Sequence, residues 1–183
     1  MDAPIRKSLH ELDEVDWGSL RTAHGTADHV PDALKALARA DDPEAVRGAY
    51  WRLDNYIVLQ GTIYPSVLPA VPYILDLLLS APPGPRRIAA YDLLIEIARG
   101  VPDPADPTAA GLPERVRPLI ASGRAAYEHD LRDAADPALR RRALDLLTTI
   151  SDDPEGLRAL LDDVDPGPDE QLGRELERAR AEA

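Results

Sequence analysis

Apolar residues recur at spacings of three and four along most of this chain, the period of a helix with one buried face. The stretches "EAVRGAYWRL" (44–53), "ALRRRALDLL" (138–147) and "EGLRALLDDV" (155–164) show it, and each follows an Asp-Pro dipeptide: Asp42-Pro43, Asp136-Pro137 and Asp153-Pro154. Asp caps a helix N-terminus, and Pro suits the first helical position, where its missing N–H has no intrahelical partner. Each dipeptide is therefore a predicted helix start.

Further helical stripes run through "VPDALKALARA" (30–40), "VPYILDLLLSA" (71–81) and "PRRIAAYDLLIEIARG" (85–100), the last predicted to stop at Gly100. The pattern of "PERVRPLIASGRAAYEHDLRDAA" (113–135) predicts one longer helix, bent at Pro118 and Gly123. Residues 100–113 form a Pro/Gly-rich loop, and "PDEQLGRELERARAEA" at the end is a polar, weakly amphipathic helix. Near the start, Trp17, Leu20 and His24 have helical spacing, with Gly25 placed to cap a short helix.

Over 43–60 the spacing predicts a single helix with two apolar faces. Val46, Ala49, Tyr50, Leu53, Ile57 and Gln60 share one, and Trp51, Asn55 and Val58 share the other. Gly61 then supplies a positive φ to end the helix. Thr62 is placed to accept a backbone N–H of the next element, and Gln60 and Tyr64 to bond backbone groups that would otherwise be unpaired. Pro65, Pro69 and Pro72 restrict the entry to the next helix, with a kink expected at Pro72. Two readings of this segment stand: an inter-helix connector, or a recognition patch of Trp51, Asn55, Gln60, Thr62 and Tyr64. Local satisfaction of buried polar groups favours the connector, while aromatic residues on a rigid frame are what supports the patch.

Composition sharpens the fold class. Hydrophobic residues make up 44 % of 183, yet aromatics are 4 % and Phe is absent. Ala and Leu, strong helix formers, dominate, which makes the chain all-α. The length suits one domain. Without cysteine there is neither a disulfide nor a thiolate metal site, and His10, His24, His29 and His129 lack metal-ligand spacing. No metal or other cofactor is expected. The N-terminal stretch has no signal-peptide core, and no apolar run reaches the length of a membrane span, so a soluble cytoplasmic protein is expected.

The net charge of −12 is unevenly spread: residues 151–183 carry 11 acids against 4 bases, while residues 31–150 carry 16 against 14. Binding to nucleic acid or to an anionic membrane needs a clustered basic face and is disfavoured. A basic protein partner is the electrostatic complement. The pairs Asp41/Asp42, Asp152/Asp153 and Asp162/Asp163 are expected as helix caps just ahead of helices, not as acid–base or metal sites. His24, beside Asp28 and His29, lacks the nucleophile and orienting group of a catalytic set.

The helices repeat in pairs. "VPDALKALARADDPEAVRGAYWRL" (30–53) aligns with "VPYILDLLLSAPPGPRRIAAYDLL" (71–94), placing Pro31 on Pro72, Arg47 near Arg87, and Leu34 and Leu37 on Leu75 and Leu78. A stretched third copy runs from "VRPLI" (116–120) to "DPALRRRALDLL" (136–147). A period of ~40–47 residues built of two helices resembles HEAT repeats, as found in uncharacterised bacterial HEAT-repeat proteins. That resemblance is best over 30–98 and weaker beyond. It implies a right-handed α-solenoid of about three to four helix pairs, with residues 1–29 as an N-terminal cap, 30–150 as repeats and 151–183 as acidic C-terminal cap helices. It also implies an interaction scaffold, and with no catalytic constellation in the sequence an enzyme is not expected. An immunity-type inhibitor of a basic toxin is the alternative within binding, and an activity on DNA bases or chromophores is the enzymatic one.

Overall fold

A computed structural model describes residues 4–183 of the chain. Helices dominate: α1 (Val30–Arg39), α2 (Pro43–Ile57), α3 (Val67–Ser80), α4 (Pro85–Arg99), α5 (Leu112–Ala121), α6 (Arg124–Asp133), α7 (Pro137–Ile150), α8 (Pro154–Asp162) and α9 (Glu170–Glu182). The Asp-Pro starts hold. Asp42 accepts from the N–H groups of Glu44 and Ala45, Asp136 from Ala138 and Asp153 from Gly156. Among the described residues no helix is long and apolar enough to cross a membrane.

Packing arranges the helices in two layers. The helices α2, α4, α7 and α9 contact one another in succession, as do α1, α3 and α5, and α3 packs on α4 while α1 packs on α2. The middle of this array is its core. Buried positions on α3 and α4 run nearly all round each helix, including Tyr73, Ile74, Leu75 and Leu78 on one and Tyr91, Leu93, Leu94 and Ile97 on the other. A helix enclosed on several sides needs apolar residues on several sides. Residues before α1 lie against this core: Trp17 Nε1 donates to Leu12 O (2.9 Å), Tyr73 Oη to Glu11 O (2.8 Å) and Ile5 N to Ser122 Oγ (2.9 Å).

Several expected elements take another form. The predicted helix over 43–60 stops at Ile57, and β3 (Val58–Leu59) and β4 (Thr62–Ile63) pair as an antiparallel hairpin. Inside the expected loop, β5 (Val101–Pro102) joins β4 in parallel, followed by a 3₁₀ turn at Pro107–Ala109. The expected helix around Trp17–His24 is a 3₁₀ turn (Trp17–Ser19) and a hairpin of β1 (Arg21–Thr22) with β2 (Gly25–Thr26). The long helix over 113–135 is two helices, α5 and α6, parted at Ser122-Gly123, and α5 runs through Pro118.

Equivalence between the aligned copies is also partial. Pro31 stands at the start of α1, whereas α3 begins at Val67 and encloses Pro72. Arg47 is exposed, whereas Arg87 is partly buried and paired with the buried Asp130. Asp162 and Asp163 end α8 instead of preceding a helix. At a C-terminus a carboxylate opposes the helix dipole, and Asp162 is compensated by Arg180 Nε at 3.3 Å.

Candidate functional site

Helix α2 buries one face only. Val46, Ala49, Leu53 and Ile57 point into the core, and Trp51 on the opposite side is 50 % exposed. The second apolar face predicted from the sequence is therefore an outward one, and its third member, Val58, is buried in β3. Trp51 stands edge-on to Tyr50, with ring centroids 5.2 Å apart. Asn55, one turn on, donates its amide to Trp51 O (3.0 Å), a bond within the helix.

Gln60, Thr62 and Tyr64 belong to the hairpin. Gln60 (φ 50°) and Gly61 (φ 79°) both hold positive φ, as a two-residue turn matched to the strand twist requires. Gly61 thus turns a hairpin instead of capping a helix. The side chains of Gln60, Thr62 and Tyr64 make no hydrogen bond among the described residues, so the expected bonding to backbone groups does not form. The backbone supplies that pairing itself: Tyr64 N donates to Ile57 O (3.2 Å), Val101 N to Gly61 O (2.8 Å) and Asp103 N to Ile63 O (3.2 Å). The helix-start position ahead of α3 is held by Ser66, not Thr62. No hydrogen bond joins the Trp51/Asn55 pair to the hairpin group. Sequence proximity put five residues in one patch; the structure divides them between a helix face and a turn.

Both hairpins and β5 meet at the C-terminal end of α2. Ala23 N donates to Tyr56 O (2.9 Å) and Ser66 N to Arg21 O (3.2 Å), while Arg21 Nε lies 3.7 Å from Asp106 Oδ2. Hydrogen bonds from the Thr108 hydroxyl and N–H hold Asp106 below the usual carboxylate range. Burial raises Tyr64, helped by Asp103 and opposed by Arg21. Within this corner the buried Ser66 Oγ and Asp106 Oδ2 have no hydrogen-bond partner. His29 packs on Tyr56 with centroids 4.1 Å apart, and burial, with the Arg52 charge, lowers its pKa. A half-buried histidine beside a tyrosine is a packing arrangement.

Sequence reasoning missed the residues across from α2. Tyr50 Oη donates to Asp54 Oδ1 (3.1 Å), and its pKa is raised by burial first, then by Asp54, with Asp92 and Glu96 of α4 adding to it. Burial also raises Asp54. The Tyr50/Asp54 pair was legible as an i, i+4 spacing. Asp92 and Glu96 were not, because only the packing of α4 on α2 brings them there.

Elsewhere, a polar cleft of about 380 Å³ between α7, α9 and the end of α4 is lined by Arg99, Arg141, Arg142 and Arg178, yet each is already paired, with Asp145, Asp169, Asp92 and Glu182 respectively. A more apolar cleft of about 590 Å³ lies between Pro4-Ile5 and α5–α6. Among the described residues, no three His, Asp or Glu side chains converge as a metal cluster. Compared with models of known protein families, with curated proteins and with solved structures, the chain matches none.

Proposed function

We propose that this chain is a protein-binding scaffold, a right-handed α-solenoid of three to four HEAT-like helix pairs that acts by presenting a surface and not by catalysis. Successive contacts within the α2–α4–α7–α9 layer and the α1–α3–α5 layer support the stacked-pair reading. The observation that carries the functional part is Trp51. A chain with two tryptophans holds one of them half in solvent on a regular helix, in contact with a second aromatic ring. A half-exposed indole on a rigid helix offers a partner a large contact surface, and Trp is among the residue types enriched at interface hot spots.

An immunity-type inhibitor of a basic toxin is the specific form favoured by the charge. The net charge of −12 steers a cationic partner towards this surface and raises the association rate. Many C-terminal acids are spent internally: Asp169 on Arg141, Asp162 on Arg180 and Glu182 on Arg178. Asp54, on α2 beside Trp51 and without an ion pair among the described residues, is better placed to meet a partner than that third as a whole.

The test is affinity capture from the native host with wild-type and Trp51→Ala protein, at low and high salt, with helicity monitored by circular dichroism. One stoichiometric protein, lost on Trp51→Ala with helicity unchanged and weakened by salt, is the expected result. Equal capture by the variant removes Trp51 from the interface, and no captured protein at either salt overturns the scaffold reading.

A further inference from the structure

The outward face of α2 carries more than an aromatic ring. Asp54 lies three residues after Trp51 and four after Tyr50, so the three side chains neighbour one another on the helix surface. From α4, packed against α2, the charges of Asp92 and Glu96 act on the Tyr50 hydroxyl. Asp92 is engaged by Arg142 of α7. Asp54 and Glu96 form no salt bridge among the described residues, and the one hydrogen bond to Asp54 comes from a neutral phenol, Tyr50 Oη. Among the described residues, neither Arg47, one turn before Trp51, nor Arg52, next to it, forms an ion pair.

A half-exposed indole with an uncompensated carboxylate beside it fits one kind of side chain above others. A guanidinium is planar and weakly hydrated; it stacks on an indole face while its edge donates two parallel N–H bonds to a carboxylate. An ammonium has no flat face to stack, and an anion or an apolar plug would leave the carboxylates uncompensated. A metal ion lacks the third ligand. We propose that the Trp51–Asp54 face of α2 is a docking site for an arginine side chain of a protein partner, the guanidinium lying on the Trp51 ring and bonding the Asp54 carboxylate. The proposal rests on the protein-binding reading and names the chemistry of its partner.

The test uses the full chain, ¹⁵N-labelled, titrated with an acetylated Arg-Gly-Arg amide peptide and with its citrulline counterpart, which keeps the shape and loses the charge. The two indole N–H signals serve as reporter and internal control, since Trp17 Nε1 is buried on Leu12 O and Trp51 is exposed. The arginine peptide is expected to shift the Trp51 signal saturably and leave Trp17 in place, the citrulline peptide to shift neither, and Asp54→Asn to weaken binding by about tenfold. An unmoved Trp51 signal, an equal response to citrulline, or an unchanged affinity in Asp54→Asn overturns the site. Capture of the host partner separates this failure from that of the scaffold reading: a partner lost with Trp51→Ala but held by Asp54→Asn keeps the protein-binding role and eliminates the arginine. Concentration-dependent self-association in sedimentation, abolished by Asp54→Asn, would assign the cation to a second copy of this chain and overturn the foreign partner.

Discussion

Arg87 and Asp130 are the charged pair whose burial has most consequence for stability. Their side chains are 13 % and 7 % exposed, joined by two hydrogen bonds of 3.0 and 2.8 Å, and Tyr91 Oη adds a third to Asp130 at 2.7 Å. A buried charge left alone is costly. Asp130→Asn should therefore destabilise the fold by about 3 kcal/mol, read as a lower urea midpoint. Arg87 was visible in the sequence as a repeat position, but its partner 43 residues away was not. Gly123 is a steric counterpart. A Cβ there would sit 2.7 Å from Tyr127 Cζ and closer still to its Oη, which is itself held on Ile120 O at 2.8 Å, so the ring has no room to yield. Gly123→Ala should cost about 1–3 kcal/mol, with the same denaturation as the check.

At the scale of elements, the surprise lies between helices. The α2–α3 connection has an apolar run and a glycine, which by local rules ends a helix. It forms a hairpin because β5, about forty residues further on, offers β4 a parallel partner, and Gly100 lets Ile63 approach where any Cβ would clash. The turn demands positive φ at Gln60 and Gly61. Gly61→Ala should cost about 1–2 kcal/mol, while Gln60→Asn, a residue better suited to that conformation, should raise the thermal midpoint slightly. Helix caps behaved as local rules require, since Asp42, Asp136, Asp153 and Asp169 each accept the N–H groups of the next turn. Asp162 and Asp163 escaped those rules because no composition signal distinguishes a carboxylate that opens a helix from one that closes it.

Taken whole, the molecule couples its core to pH through tyrosine. Burial raises Tyr127 far above its ordinary value, and burial, then the Asp130 carboxylate, does the same to Tyr91; Tyr50, Tyr64 and Tyr73 shift in the same direction. A phenol whose pKa is higher when folded stabilises the fold fully below the unfolded value of 10.0 and loses that contribution as pH climbs beyond it. Stability should accordingly stay level on the tyrosine account up to about pH 10, then fall by up to about 1.4 kcal/mol per pH unit for each such group. Urea denaturation between pH 9 and 11 measures the slope, and Tyr91→Phe should lower it by one group's share. A phenolate absorbance that rises before unfolding and is reduced in Tyr91→Phe would contradict the burial of the Tyr91 ring.

What the residues determined by themselves is the helical content, the Asp-Pro starts and the apolar stripes, because caps and i, i+3 and i, i+4 spacings act within one turn of chain. Trp51 could be singled out for the same reason, as a large ring on a helix. Tertiary structure alone decided that Trp51 faces solvent, that Gln60, Thr62 and Tyr64 sit on a hairpin apart from it, that α5 and α6 divide where Tyr127 needs Gly123, and that α4, with Asp92 and Glu96, packs on α2. Those outcomes depend on pairing between segments distant in sequence, where β4 finds β5 and α4 finds α2, and no periodicity within a single segment encodes which partner it will meet.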